Sequence, residues 1–283
     1  MGAERTTSIE RDFIMYDDDF EYLRKLAYEF TGIVLADHKK DMVYSRLARR
    51  LRLLGLETFS QYCQVLEKNN SQEHSEFINA ITTNLTAFFR EGHHFEYLRT
   101  VALPELIKAH SGSYKLRVWS CASSTGEEPY SIAMTIAESH VPRQWDVKIL
   151  ATDLDSNVLQ RGKEAIYGYD RVEGLGEERV KKFFLHDTSG TSQRVRVKPV
   201  LRDMISFKRL NLLEKWPMKM SYDIVFCRNV VIYFNKETQR KLFDNIANIM
   251  PMGGFLFIGH SESLSNICDR FELVGRTIYR KVR

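Results

Sequence analysis

Two rhythms of hydrophobic and polar positions divide the chain. From Asp17 to Asn84 apolar residues return every three to four positions, the spacing of a single buried helix face. Phe20, Leu23, Leu26, Ala27 and Phe30 predict a first helix, with Asp17, Asp18 and Asp19 as its acidic cap and Gly32 past its end. His38 to Leu54 predicts a second, with Val43, Tyr44, Leu47, Leu51 and Leu54 on one arc, and two more follow over Thr58 to Lys68 and Glu73 to Asn84. No strand pattern appears before Tyr114. Beyond it, short apolar runs alternate with helical spacing. Leu116 to Trp119, Val147 to Ala151, Ile205 to Leu212, Tyr222 to Asn229 and Gly254 to Gly259 read as strands, and helices begin near Glu127, Ser156 and Lys236, with Ser156 as the expected N-cap. A terminal strand pair is expected around Phe271 to Lys281. Runs that are apolar on both faces belong to a parallel sheet covered by helices. Residues 168–203 break that rhythm, and the alternating Arg194-Val195-Arg196-Val197-Lys198 after several glycines predicts a small antiparallel excursion.

The expected fold class is therefore α/β: a doubly wound sheet with an inserted small antiparallel β-subdomain, preceded by an all-α N-terminal domain. The boundaries expected are a flexible tail over 1–16, a helical domain over 17–85, a linker and connecting helix over 86–113, and the sheet domain over 114–283 with its insertion at about 168–203. Ala80 to Glu91 mixes β-branched, amide and aromatic residues, which makes poor helix and suits an irregular packed connector.

Composition adds limits. A chain of 283 residues with 43% hydrophobic content can build one α/β unit and a smaller partner. No apolar run approaches the ~20 residues of a membrane span, and Met1 to Asp19 is polar and acidic, so a cytoplasmic protein without membrane insertion is expected. Cys63, Cys121, Cys227 and Cys268 are scattered, and His93-His94 is the one histidine pair, with side chains pointing apart on a helix; no metal site is expected. Between Lys39 and Gly55 six Lys or Arg face one Asp. Lys39, Arg46, Arg49 and Arg50 share an arc that is either a solvated face or a dock for an acidic partner. A net charge of +4 is mild, and the aromatic residues here lie on apolar faces, so nucleic acid is the weaker partner.

The candidate chemistry centres on the turn from Ser120 to Gly126, which leads from a strand into a helix. Its small side chains let a ligand approach the backbone. Glu127 and Glu128 in the first helical turn would repel a pyrophosphate, and neither a Gly-x-Gly-x-x-Gly nor a Walker lysine is present. Asp153 closes the next strand, where doubly wound sheets place the acid that takes ribose hydroxyls. A nucleoside without phosphates fits both features, and S-adenosylmethionine is the common one. Arg228, Asn229 and Tyr233 follow the fourth strand as hydrogen-bond donors, which suit an anionic oxygen. Asn84, Thr86 and Arg90 are further donors that either tie down the connector or border a cleft.

Thr83-Asn84-Leu85-Thr86-Ala87-Phe88-Phe89-Arg90-Glu91, Ser124-Thr125-Gly126-Glu127-Glu128-Pro129-Tyr130-Ser131, Ala151-Thr152-Asp153-Leu154-Asp155 and Cys227-Arg228-Asn229-Val230-Val231-Ile232-Tyr233-Phe234 together resemble the motif set of the chemotaxis receptor methyltransferases, the CheR family. The likeness runs from about Phe20 to Tyr279. It implies methylation of receptor glutamates by S-adenosylmethionine, with S-adenosylhomocysteine as product and no metal. It implies cofactor contacts at Asn84, Thr86, Arg90, Glu127, Asp153, Asn211, Leu212, Arg228 and Asn229, and places Arg90 and Tyr233 beside the transferred methyl. The basic stretch Lys39 to Arg52 matches the family helix that meets the acidic face of the receptor's cytoplasmic helical bundle, and a receptor carboxyl-terminal peptide would seat on the β-subdomain. The resemblance further implies a monomer recruited from the cytoplasm to receptor arrays. Cys121-Ala122-Ser123 is a mild departure that keeps the turn small. Two other readings compete. A non-catalytic S-adenosylmethionine-binding sensor or scaffold would lack Arg90 or Tyr233, and a nucleic-acid methyltransferase would want acceptors where Arg228 to Tyr233 offers donors.

Overall fold

The computed structural model describes residues 12–68, 71–110, 112–187 and 193–283. Contacts divide the chain into two compact units, Met1–Thr82 and Thr83–Arg283.

The first unit is helical, as the periodicity predicts. Its elements are α1 (Asp17–Thr31), α2 (Lys40–Leu54), α3 (Phe59–Glu67) and α4 (Ser71–Ile81). Phe20, Leu23, Val43, Leu47, Leu51, Phe59, Tyr62 and Phe77 are buried and form its interior. The three acids lie in the first turn of α1, whose N-cap is Tyr16; of the three, Asp19 takes part in capping, closing a capping box by accepting the N–H of Tyr16 at 2.9 Å, and it also accepts the hydroxyl of Ser60 at 2.8 Å. Thr58 caps α3 by accepting the N–H of Gln61. The expected tail over 1–16 ends early. Ile14 bridges to Thr58, and the N–H of Phe13 donates to the Tyr44 hydroxyl at 3.0 Å, so the residues from Asp12 belong to the unit; Met1 to Arg11 lie outside the described residues.

The basic stripe on α2 divides. Arg46 donates from Nη1 to the carbonyls of Ile81 and Thr82, at 2.9 and 2.7 Å, and closes the end of α4. Arg50 grips the buried Glu73 through Nε at 3.0 Å and Nη2 at 2.5 Å, with the Tyr62 hydroxyl donating to the same carboxylate at 2.9 Å. A buried carboxylate needs such a partner, so the expectation that Arg46 and Arg50 face a partner protein is corrected: both are fastened inside the unit. Lys39 and Arg49 are exposed.

The second unit holds a seven-stranded sheet made of β1 (Lys115–Cys121), β2 (Asp146–Asp153), β6 (Ile205–Arg209), β7 (Ile224–Cys227), β8 (Phe255–Ile258), β9 (Phe271–Gly275) and β10 (Ile278–Lys281). Their order is β6-β2-β1-β7-β8-β10-β9, parallel except for the pairs that β10 makes. Apolar residues alternate between two cores. Leu116, Val118, Ile224, Phe226, Phe255 and Phe257 face one; Trp119, Cys121, Val225, Cys227, Leu256 and Ile258 face the other. Burial on both faces explains why these strands read as unbroken apolar runs.

Helices α5 (His93–Tyr97) and α6 (Leu103–Ala109), joined by a π-helical turn over Leu98–Ala102, send Phe95, Leu98, Leu103 and Leu106 into the first core. The expected linker over 86–113 is thus part of the sheet unit, because its apolar residues pack there. Around it run α7 (Glu127–Glu138), α8 (Ser156–Glu164) and α11 (Lys236–Asn248). The N-cap of α8 is Asp155, which accepts the N–H groups of Asn157 and Val158, so the expected cap at Ser156 is one residue late. The insertion is as expected: β3 (Ile166–Gly168), β4 (Phe184–Asp187) and β5 (Arg194–Val197) form a separate antiparallel sheet in the order β3-β5-β4. It also carries α9 (Glu177–Phe183) and α10 (Pro199–Arg202). Val195 and Val197 are buried while Arg194 and Arg196 are exposed, the period-two pattern read in the sequence.

Candidate active site

The chain leaves β1, builds β2 and β6 on one side, then crosses to β7 on the other. The order reverses between β1 and β7, and open α/β sheets bind ligands at the carboxyl ends of such strands. The turn after β1 supplies one wall. Ala122 (φ 51°), Ser124 (φ 50°) and Gly126 (φ 98°) are left-handed, so the backbone doubles back before α7. Gly126 is required twice over. A Cβ there would lie 3.0 Å from the Tyr167 hydroxyl and 3.2 Å from the Phe207 ring, in a conformation that L side chains rarely adopt. Ser123 is buried in this turn, and its hydroxyl has no hydrogen-bond partner among the described residues.

Asp153, at the end of β2, stands behind the turn. One of its oxygens accepts the N–H of Ser124 at 2.8 Å and the other that of Asp155 at 3.0 Å. Burial pushes its carboxyl up to about 6, against the pull of those backbone N–H groups. Each carboxylate oxygen keeps a second lone pair for a ligand hydroxyl. The connector joins here: the amide of Asn84 donates to Asp155 at 2.7 Å, and the hydroxyl of Ser124 donates to the Asn84 carbonyl at 2.9 Å.

Glu127 is almost fully buried at the start of α7. Thr125 donates to it at 2.6 Å, and so does Arg171 of the insertion, whose Nη2 also donates to the carbonyl of Thr86 at 2.6 Å. Tyr167 of β3 adds a bond to the Thr125 carbonyl at 2.7 Å. The inserted sheet therefore braces the turn and the connector. Arg171 escaped the sequence reading, and nothing local marks it.

A second network lies beside the first. Arg228, just after β7, is buried. Its Nη1 meets Glu128 at 2.9 Å, while its Nη2 donates to the Arg90 carbonyl at 2.5 Å and lies 3.4 Å from Glu91. Ser120 donates to the other oxygen of Glu128 at 2.7 Å. Burial raises the Glu128 carboxyl above its ordinary value, opposed by Arg228 and Ser120. The expectation that Arg228 offers open donors to an anion is corrected, since its partners lie within the protein. Likewise Glu127 and Glu128 do not make the rim negative, because each faces an arginine. Asn229 is left-handed (φ 56°) and packs against Gly259, and the loop that follows is hung on Glu262, which accepts the N–H groups of Val230, Val231 and Gly259. Tyr233 ends the short helical turn on that loop, half-buried. Asn211 and Leu212 follow β6; the N–H of Leu210 donates to the Asp153 carbonyl at 3.0 Å, which brings that stretch to the same rim.

Arg90 differs from its neighbours. Its Nη1 donates to the Leu85 carbonyl at 2.9 Å, the guanidinium is only partly buried, and no carboxylate is paired with it among the described residues. Glu91, His93 and His94 lie close enough for one ligand atom of each to fall within 4.8 Å of the others. The Arg228 guanidinium against Glu91 opposes a metal ion at that place.

Together, a parallel sheet reversing at β1 and β7, a small-residue turn and a buried acid at the end of β2 define an α/β domain with a ligand cleft at the carboxyl ends of its strands. The comparisons name its kind. A family model described as the CheR methyltransferase SAM binding domain matches residues 84–280, and one described as the CheR methyltransferase all-alpha domain matches residues 18–82; the chain belongs to the CheR methyltransferase family. It is 45% identical over 267 residues to a chemotaxis protein methyltransferase of Salmonella typhimurium, covering 93% of this chain and 90% of that one. A chemotaxis protein methyltransferase of Escherichia coli gives the same identity and coverage, and chemotaxis protein methyltransferase 2 of Pseudomonas aeruginosa is 41% identical over 270 residues, 95% of each chain. No helix among the described residues is long and apolar enough to cross a membrane.

Proposed function

We propose that this chain methylates glutamate side chains of chemotaxis receptors, with Asp153 holding the ribose of S-adenosylmethionine and Arg90 and Tyr233 serving the transfer. The supporting observation is the charge arrangement of the rim: Glu127 and Glu128 are each matched to an internal arginine, while Arg90 is left for an anion. Such a rim accepts a carboxylate, and it disfavours a nucleic-acid base, which presents no negative charge there. The retention of Arg90 and Tyr233 also speaks against a binding module without turnover.

S-adenosylmethionine supplies an electrophilic methyl group on a positively charged sulfur. The residues of the chain then have a limited task. A glutamate with its ordinary pKa of about 4.3 is already a nucleophile at neutral pH, so no general base is required. Orientation is the main contribution, and a fixed in-line arrangement is worth on the order of 7 to 11 kcal/mol. Arg90 steers the target carboxylate from the side without quenching the attacking oxygen, and Tyr233 excludes water. We assign the remaining cofactor contacts to Asn84, Thr86, Glu127, Asn211, Leu212 and Asn229, with Arg228 serving the site through the bracing described above. The enzyme would meet its receptors from the cytoplasm. Labelled methyl carried from S-adenosylmethionine into receptor-containing membranes, and not into membranes lacking receptor, is the expected result; equal labelling of both would refute the assignment.

The ribose role of Asp153 has a pH signature. Its folded carboxyl, at about 6, lies above the usual range, so the free protein holds that proton more tightly than the unfolded chain. Stability from this group is thus greatest in acid and is lost as pH rises from about 4 through 6. Cofactor affinity should show the reverse trend, weakening by up to about tenfold per pH unit below 6 as the acceptor is neutralised. Asp153→Asn should bind ten- to 150-fold less tightly at neutral pH, roughly the worth of a hydrogen bond to a charged group, and should lose the trend. Calorimetric titrations in which mutant and wild type share one pH profile would remove Asp153 from the ribose.

Receptor docking by the first unit rests on Lys39 and Arg49, the exposed members of the stripe. Exposed charge pairs contribute about 0.2 to 1 kcal/mol each and are screened by salt. Reversing both to Glu should lower kcat/KM for receptor several-fold at low salt and flatten its salt dependence. An unchanged salt profile would mark the stripe as a solvated face. The outer strands β3 and β4 of the insertion, each paired on one side only among the described residues, are the proposed seat of a receptor carboxyl-terminal peptide, which would add as a further strand. Pull-downs with receptor fragments cut short of that tail should then recover less enzyme, and equal recovery would exclude it.

A further inference from the structure

Arg90 sits in a backbone kink. Phe89 (φ 51°) and Glu91 (φ 59°), on either side of it, both occupy the left-handed region that bulky residues rarely enter. Such conformations persist only where the surroundings over-determine them. Three attachments do so here. The N–H of Phe89 donates to the Ser131 hydroxyl at 2.9 Å, the carbonyl of Arg90 accepts from Arg228 at 2.5 Å, and the carboxylate of Glu91 is held by one hydrogen bond at Oε1 and by charge alone at Oε2. Its Oε2 faces Arg228 at 3.4 Å, and its Oε1 meets Nδ1 of His260 at 3.0 Å.

His260 is the unusual member. Its side chain is 55% exposed, yet its partner Glu91 is 11% exposed. The histidine is presented by a stiff turn after β8: the N–H of Glu262 donates to the Gly259 carbonyl at 2.9 Å, and the carboxylate of Glu262 accepts the Gly259 N–H at 2.5 Å. Burial pushes the Glu91 carboxyl up, but Arg228 and the bond from His260 outweigh it and hold the group at about 2, so it is a carboxylate throughout the neutral range. An exposed histidine beside an exposed acid usually contributes little. Here the acid is sheltered, and the backbone it belongs to carries the kink at Arg90.

We infer that His260 is a positioning residue for methyl transfer: by fastening Glu91 it fixes the kink that aims the Arg90 guanidinium. The inference rests on the proposed receptor methylation, in which Arg90 meets the target carboxylate. His260 itself touches neither reactant.

The test compares the full chain with its His260→Ala and His260→Asn variants, using receptor membranes and labelled S-adenosylmethionine. In His260→Ala, kcat should fall about tenfold, the scale of one lost hydrogen bond to a charged group, while KM for S-adenosylmethionine stays within about twofold. His260→Asn should recover at least about a third of the wild-type rate, because the Asn Nδ2 can donate from near the place of Nδ1. Both variants should melt within about 2 °C of wild type, as expected of an exposed position. A wild-type kcat in His260→Ala, a loss that Asn does not restore, or a loss expressed in the cofactor KM would each overturn the inference. If the wild-type chain leaves receptor unlabelled, the receptor-methylation reading falls, and this inference with it.

Discussion

Arg228→Ala is expected to lower the stability of the Thr83–Arg283 unit by about 3–5 kcal/mol, because it strips a buried carboxylate of its partner. Glu128 would keep only the hydroxyl of Ser120, Glu91 would keep His260, and the carbonyl of Arg90 would lose its donor. Glu128→Gln should cost less, about 1–2 kcal/mol, since Arg228 retains Glu91 and the neutral amide can still accept its bond. Tryptophan fluorescence during urea unfolding reads this unit alone, because Trp119, Trp145 and Trp216 all lie within it. A loss under about 1 kcal/mol for Arg228→Ala would show that the network is not a buried ion pair in solution.

Arg90→Ala should have the largest effect on turnover. Removing a donor placed at a reacting group costs about 10²–10³ in rate in comparable sites, and kcat/KM for receptor should fall by that factor. Stability should barely change, since the side chain is partly exposed and, among the described residues, makes a single hydrogen bond, to the carbonyl of Leu85. The combination separates a chemical role from a structural one. Tyr233→Phe should lower the rate less, about tenfold, because the ring that fills the site is kept. Arg90→Ala enzyme that labels receptor within about threefold of the wild-type rate would take Arg90 out of the chemistry.

Much of this arrangement is legible in the sequence where its cause is local. The helices of the first unit follow from i, i+3 and i+4 apolar spacing, and the strands from runs too short for a helix and apolar on both faces. The turn at Ser120 to Gly126 is readable for the same reason: only small residues fit where Gly126 passes Tyr167 and Phe207. Local rules also misled. Asp155 and Ser156 are both good caps, and the chain uses the earlier one because its carboxylate also receives Asn84. The connecting segment looks like a linker until Phe95 and Leu103 are seen within the core of the sheet.

The pairings that set the charge of the site are not local. Arg171 meets Glu127, Arg228 meets Glu128, and His260 meets Glu91 across stretches of chain that no periodicity spans. Read alone, Glu127 and Glu128 look like a negative mouth and Arg228 like a free donor; each pairing reverses that impression. The basic stripe fails in the same way. Arg46 and Arg50 share an arc with Arg49, but the end of α4 and the buried Glu73 claim them.

The most direct measurement concerns the bond that is made. After transfer from methyl-labelled S-adenosylmethionine to receptor membranes, the labelled receptor is treated with mild base and volatile counts are collected. A glutamyl methyl ester should release its label as methanol, and pretreating the receptor to block its carboxylates should prevent labelling. Label that resists base, or that persists on receptor whose carboxylates are blocked, would contradict a carboxylate target and with it the role proposed for Arg90.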